Sequence, residues 1–598
     1  MEDAVLPAAE EIAAAITESD KKEDASYTAL FRRRHAAEPG RGWNLLADVF
    51  NFLFRASNVS DPFGPMVQMD DKRSLIPSDL SDAQLDALAT TLRAIDDPEY
   101  RARIGDVLWL RRRDVSAARL AVESYLASGS HLEHPEHWTA AMERYERAVR
   151  LGRQLESKGD LPRTVLAHLQ ARVFHYDGKD PLYFSRKALA LLEEFAFGDF
   201  TKLAEIAGRV ATEARSAGNY DRARSYFDTQ ARLLKRAQQA EAAEAARVAL
   251  AETFEEEAEA REQANAYIAA HAFWEQALKA FRDRPSLRNR IPEIHKRLAE
   301  AGKKTLGEMK AHSVEMDLSE MAAEAEKHIA GRTREDAFFA LVLLVAPIDP
   351  QKLREDTLAS MRDSPLRTLI DAAVYDAAGR KIGVRPAASN GDPSQQEAAV
   401  EGFMEESARF HRQPTLMGVV APAMRQLLSE HEIDENILES LIGDSLLIPE
   451  GRRPLFLQGL AAGFRWDFST ALHLLVPQVE NGLRHVLETY GVTPRNVDAA
   501  GVEEVWSYER ILSHPKIKEV LGESMVYELE SLLVGRLGAN FRNLIAHGLL
   551  SPDALNSDVA FYLWWILLRL ISIPTQRLRE YAERNRKQEP LSAEPPPI

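Results

Sequence analysis

A repeated spacing of small and aromatic residues constrains the fold of this 598-residue chain more than any other feature. Gly218, Tyr220, Ala223, Phe227 and Ala231 stand at offsets of 2, 5, 9 and 13 from the glycine. Asn265, Tyr267, Ala270, Trp274 and Ala277 follow with offsets of 2, 5, 9 and 12. Ala141, Tyr145 and Ala148 match the later part of the same pattern. Steps of three and four residues place such side chains on one helix face. Small residues there let two helices approach, and the aromatic fills the space between them. A turn residue followed by such a face predicts stacked helices rather than a sheet.

The pattern resembles a degenerate tetratricopeptide array over residues 135–330. Ala223 and Ala270 are 47 residues apart, and Ala141 and Ala223 are 82 apart. Such an array implies a concave face that receives a protein or ligand trigger.

The remaining chain also reads as mainly α. Residues 1–130 form a helical N-terminal domain, interrupted by a loop with Pro62, Pro65 and Pro77. Ser78 and Ser81 are candidate N-caps for the helix that follows. Residues 335–454 form a connecting region with a small β-hairpin insertion. Its strands are 369–376 and 381–384, with Gly379 in the turn. Residues 387–396 read as a linker, with helices resuming from Phe403 towards Glu430. Residues 455–585 form a helical bundle, and 586–598 a disordered tail ending in three prolines.

Within that bundle, Arg542-Asn543-Leu544-Ile545-Ala546-His547-Gly548 concentrates the most chemistry. Arginine can hold a phosphate through paired hydrogen bonds, and histidine can move a proton near neutral pH. On a regular helix Asn540, Asn543 and His547 share one face, and Phe541, Leu544, Ile545 and Gly548 share another. Arg542 and His547 would stand about 140° apart. One helix would not bring both neatly to one phosphate, which favours a site completed by a second copy. Leu472, Leu475, Val476, Val479, Leu483, Val486, Leu487 and Tyr490 mark a second amphipathic helix, whose other side carries Glu480 and Arg484. The run from Val559 to Leu568 is apolar all round and too short to span a bilayer.

Arg542-Asn543-x-x-Ala546-His547-Gly548 resembles the signature of HEPN-superfamily ribonucleases. The resemblance covers roughly residues 455–585. It implies a four- or five-helix bundle that dimerises and cleaves RNA without a metal, often in antiphage defence or toxin-like systems. It implies catalytic roles for Arg542, Asn543 and His547, and supporting roles for Asn540, Glu480 and Arg484. The substrate would be RNA, attacked by its own 2′-hydroxyl, and the protein a homodimer or higher homo-oligomer. No cofactor or metal is expected. The competing expectation is a scaffold whose array binds a protein and whose bundle dimerises or binds a nucleotide.

Composition bounds these readings. The net charge is −17, and residues 455–585 carry 12 basic and 15 acidic side chains. RNA would therefore need a local cluster, for which Arg536, Arg542, Arg569, Arg577, Arg579, Arg584, Arg586 and Lys587 are candidates. The chain has no cysteine, which excludes disulfides and thiolate metal sites and suits a reducing cytoplasm. Neither a signal peptide nor a membrane span is expected. His131, His134 and His137 stand three apart, but Pro135 breaks any helix there; they read as the turn before the Trp138 helix.

Overall fold

The structure is a computed structural model; it describes residues 5–585 apart from 20, 70–71, 157–158, 311–314, 377 and 389–391. The expected tail at 586–598 lies outside the described residues. The fold is mainly α, and the strands among the described residues form four two-stranded pairs. The chain divides into two compact units, Met1–Ala301 and Gly302–Ile598.

In the first unit, helices pack chiefly on their sequence neighbours. Ser81 caps the Asp82–Leu92 helix: its hydroxyl accepts from Gln84 N–H, and the Gln84 side chain accepts from Ser81 N–H. Further on, the positions of the repeated spacing inside helices are buried, except Tyr220 and Tyr267, which open their helices and are half-buried. Ala141, Tyr145 and Ala148 lie on Thr139–Leu155, Ala223, Phe227 and Ala231 on Tyr220–Arg236, and Ala270, Trp274 and Ala277 on Tyr267–Arg282. The 47-residue spacing also has a physical source. The Ala240–Gln263 helix runs for 24 residues, whereas Tyr220–Arg236 runs for 17 and Tyr267–Arg282 for 16.

The turns of this stretch share one construction. Gly218, Gln238 and Asn265 each take positive φ, of 72°, 60° and 56°. The next N–H folds back in each case: Asn219 donates to Ala214 O, Gln239 to Leu234 O and Ala266 to Arg261 O, all at 2.9 Å. This is the six-to-one closure that ends a helix through a left-handed residue. Glutamine carries a steric penalty there that glycine does not. Gln238→Gly is therefore expected to stabilise the protein by up to about 1 kcal/mol, read as a higher urea midpoint, and Gly218→Ala to destabilise it by a similar amount. Unchanged midpoints in both would refute the left-handed turns.

The second unit is built round the Asp558–Ser572 helix, in which every residue from Ala560 to Leu568 is buried. Trp564 meets Phe464 edge-on at 5.0 Å, and Phe561 stacks on Phe468 at 4.7 Å. Trp565 Nε1 donates to Leu341 O at 3.0 Å. Among the described residues, Pro552–Ser572 is the one stretch long and apolar enough to cross a membrane, and 67% of its most apolar window is buried within the protein. Its apolarity is thus used against the protein's own core.

That core runs from Ala325 to Tyr581 and does not break near residue 455. Phe338, Phe339, Val420, Met424 and Leu441 belong to it together with Leu475, Leu529 and Trp564. The region expected to be a connector therefore packs as part of the same unit. Its hairpin pairs Ala372–Tyr375 with Lys381–Arg385, with Gly379 at φ 76° in the turn. The helix after it starts at Pro393 rather than near Phe403, so the linker is shorter than its composition suggests. Asp392 accepts from Ser394 N–H, and Pro393 occupies the first helical position, where its missing N–H costs nothing.

Candidate functional site

The site begins with a carboxylate inside the protein. Glu480 lies on the Phe468–Thr489 helix, whose buried face carries Leu472, Leu475, Val476, Val479, Leu483, Val486 and Leu487. Glu480 is itself only 7% exposed. A buried carboxylate needs a charged partner, and this one has two. Arg484 donates to its Oε1 from one turn away. Arg542 donates to Oε2 from Nε at 3.1 Å and to Oε1 from Nη2 at 3.4 Å.

Arg542 is brought there by a sharp reversal of the chain. The Glu523–Leu529 helix ends in a wide turn, Glu530–Val534. Gly538 then passes so close to Ser531 that a Cβ would lie 2.0 Å from the Ser531 carbonyl oxygen. Ala539 N–H donates to that same oxygen at 3.0 Å. Asn540 follows in the left-handed region, at φ 51°. The motif helix therefore starts at Phe541 and ends at Ala546, with His547 at its C-terminal cap and Gly548 at φ 62°. This differs from the unbroken helix expected from Asn540 to His547. Gly535 and Gly538 release the chain from the preceding turn, and the helix that follows runs for six residues before the next reversal.

Asn540 and Asn543 nevertheless meet. Asn543 Nδ2 donates to Asn540 Oδ1 at 2.8 Å, and Arg542 Nη1 donates to Asn543 Oδ1 at 3.1 Å. Asn540, Asn543, Arg542, Glu480 and Arg484 thus form one hydrogen-bonded cluster. His547 stands outside it, exposed, and its side chain makes no hydrogen bond among the described residues. Phe541 is buried on the core and Ile545 packs against it, whereas Gly548, which the spacing placed on the same face, is exposed.

The electrostatics are those of a fixed cation. The hydrogen bonds to Glu480 raise the pKa of Arg542 above its ordinary value. Three of its five N–H groups are used in the cluster, and its side chain is 33% exposed. The other two make no hydrogen bond among the described residues. Arg484 is more enclosed. It donates to the Trp506 carbonyl at 3.2 and 3.1 Å as well as to Glu480, so it braces the site rather than offering itself to a ligand. Two guanidiniums against one carboxylate leave one positive charge, partly offset by Glu509.

Tyr508 is a member that spacing does not reveal. It is fully buried, its hydroxyl has no hydrogen-bond partner, and burial together with Glu480 pushes its pKa well above the ordinary value. Its only sequence signal is its place in Trp506-Ser507-Tyr508, beside the carbonyl that Arg484 grips.

Of the wider basic cluster expected for RNA, one cation is taken inside and two are in exposed ion pairs. Arg569 is turned inward and donates to Val342 O at 2.9 Å and Val345 O at 2.8 Å. Arg577 pairs with Glu335, and Arg584 with Glu335 and Asp336. Arg536 and Arg579 are exposed, and Arg586 and Lys587 fall outside the described residues. His514 has a structural task, with Nδ1 accepting from Lys516 N–H at 3.2 Å to cap a helix.

Residues 8–164 match the model of DUF7380, a domain of unknown function. No curated protein and no solved structure matches the chain. The DUF7380 match covers the helices from Ala9–Thr17 to Thr139–Leu155 and enters Asp160–Tyr176. The Arg542 cluster lies outside it. The matched stretch of this chain contains a fully buried ion pair, Asp106 with Arg147, and the exposed turn His134–His137.

Proposed function

We propose that this protein is a metal-independent endoribonuclease of the HEPN type, acting in the cytoplasm as an effector of antiphage defence or a toxin-like system. The observation that carries the reading is the pairing of Arg542, held charged and oriented by buried Glu480, with an exposed, unengaged His547. The motif's resemblance to HEPN ribonucleases supports the reaction class and the defence setting.

In this mechanism His547 takes the proton from the 2′-hydroxyl of the RNA. The hydroxyl oxygen bonds to phosphorus, and the P–O5′ bond breaks to give a 2′,3′-cyclic phosphate and a 5′-hydroxyl. Arg542 stabilises the charge that builds on the phosphorane oxygens. Asn543 fixes the guanidinium through Arg542 Nη1. The leaving oxygen needs a proton as well, and a second copy of His547 in a homodimer supplies it. The six-residue helix keeps His547 out of its own cluster, which favours such a shared site.

The helical array is the place for a trigger. Phe200–Ser216, Tyr220–Arg236 and Ala240–Gln263 line an open groove of about 850 Å³ with Ala204, Gly208, Phe227, Leu234, Ala242 and Ala246 on its walls.

The test is cleavage of RNA by purified protein in excess EDTA. Cleavage yielding cyclic-phosphate ends, lost in Arg542→Ala and His547→Ala, is the expected result. A non-catalytic scaffold is the second reading, favoured by the Arg542–Glu480 bridge itself, which also clasps two segments of one unit. That reading prevails if no RNA is cut and His547→Ala acts as wild type in cells.

A further inference from the structure

The turn His134-Pro135-Glu136-His137 is not used by the nuclease reading. Helical spacing could not assign it, because Pro135 breaks any helix through it. The folded turn brings together what the sequence only places near. His137 N–H donates to His134 O at 3.1 Å, which closes the turn over Pro135. The imidazoles of His134 and His137 then lie side by side, 5.4 Å apart with 25° between their planes. One ligand atom each from His134, Glu136 and His137 falls within 4.8 Å of the others.

The turn is also anchored. Glu133, immediately before it, accepts from Arg172 Nε at 2.6 Å, Tyr145 Oη at 2.8 Å and Tyr176 Oη at 2.9 Å. Trp138, immediately after it, packs against the helical core and leads into Thr139–Leu155. The three side chains are thus presented on a short loop fixed at both ends, and all three are exposed.

We propose that His134, Glu136 and His137 bind a zinc-class divalent cation that pins the corner between the Val115–Leu132 and Thr139–Leu155 helices. Two imidazoles and a carboxylate suit zinc and its neighbours far better than magnesium or calcium, which prefer oxygen ligands. Ligand atoms about 2.0–2.1 Å from a tetrahedral zinc stand roughly 3.3 Å apart. Rotation of exposed side chains covers the difference from 4.8 Å. The local cost is small. His134 Nδ1 accepts from Glu136 N–H at 3.2 Å, and binding the cation through either ring nitrogen gives up that bond. Glu136 is exposed, so water replaces it. The chain has no cysteine to compete as a ligand. Water fills the remaining coordination positions.

The experiment uses the full chain without an affinity tag, stripped with EDTA and desalted, because 16 histidines make nonspecific sites a real competitor. Zinc chloride is titrated calorimetrically, and cobalt chloride is followed by its visible absorption. One saturable site per chain is expected, with no response to magnesium chloride. The His134→Ala/His137→Ala double variant is expected to lose that site and its cobalt spectrum, and Glu136→Gln to weaken binding tenfold or more. Zinc is also expected to raise the unfolding temperature of the wild type and not of the double variant. Without metal both should melt alike, since the substituted side chains are exposed. Equal zinc stoichiometry and an equal cobalt spectrum in the double variant would overturn the proposal, as would the absence of saturable binding in the wild type. RNA cleavage plays no part in this readout, so the outcome is independent of the nuclease reading.

Discussion

His547→Ala is expected to lower metal-independent RNA cleavage by about 10²- to 10⁴-fold, the range for removing a general acid or base, while leaving the urea midpoint unchanged. The imidazole is exposed and outside the hydrogen-bonded cluster, so its loss disturbs chemistry without disturbing packing. Arg542→Ala should behave differently. It removes charge stabilisation from the transition state, a loss of about 10²- to 10³-fold. It also deprives the buried Glu480 carboxylate of one of its two guanidiniums, so stability falls as well. Arg542→Lys keeps a positive charge but not the planar donor pair that spans both Glu480 oxygens. It should recover part of the stability and little of the activity. Cleavage kinetics and urea denaturation on the same preparations separate the two effects. If His547→Ala cleaves like wild type, or if its activity falls only in step with its midpoint, His547 has no part in the chemistry.

Helix periodicity made much of the fold legible because burial depends on the same geometry. The apolar positions from Leu472 to Leu487, the aromatic seam at Phe227 and Trp274, and the apolar run from Ala560 to Leu568 are buried as their spacing requires, whereas Tyr490 and Val559, at the ends of their patterns, are exposed. Turn positions were less legible. Gly379 announces its turn, whereas Gln238 and Trp466 occupy left-handed conformations that their side chains do not advertise. The same failure touched the site. Counting residues along an ideal helix places Asn540, Asn543 and His547 on one face. The chain instead turns through Asn540 and stops at Ala546, because Gly538 must press against Ser531. The spacing still brought Asn540 to Asn543, three residues being one turn. It could not show that Glu480 is buried or that Arg542, 62 positions later, is its second partner. Nor could it show that Arg569 faces inward to the carbonyls of Val342 and Val345. Charge counted along a sequence says nothing about which cations the core consumes.

The largest loss of stability is expected from Asp106→Ala, in the DUF7380 region. Asp106 and Arg147 are both 0% exposed. Arg147 donates to the carboxylate from Nε at 2.8 Å and from Nη2 at 2.7 Å, and Tyr125 Oη donates to it at 3.0 Å. The three residues come from three successive helices, Pro98–Arg112, Val115–Leu132 and Thr139–Leu155. Removing the carboxylate leaves a guanidinium buried without a counter-charge, which costs about 3–5 kcal/mol. A domain held by some 5–15 kcal/mol in total is then close to unfolding. Asp106→Asn keeps the shape and one acceptor, so its midpoint should fall between those of the alanine variant and the wild type. The triple variant Asp106→Leu/Tyr125→Phe/Arg147→Met, which leaves no hydroxyl orphaned beside the lost carboxylate, tests whether the pair stabilises the unit or merely must not be broken. Burying two charges costs nearly as much as their attraction returns, so an apolar replacement of similar volume is expected to lie within about 2 kcal/mol of wild type. A triple variant as unstable as Asp106→Ala would show instead that the hydrogen bonds joining the three helices are themselves the source of stability.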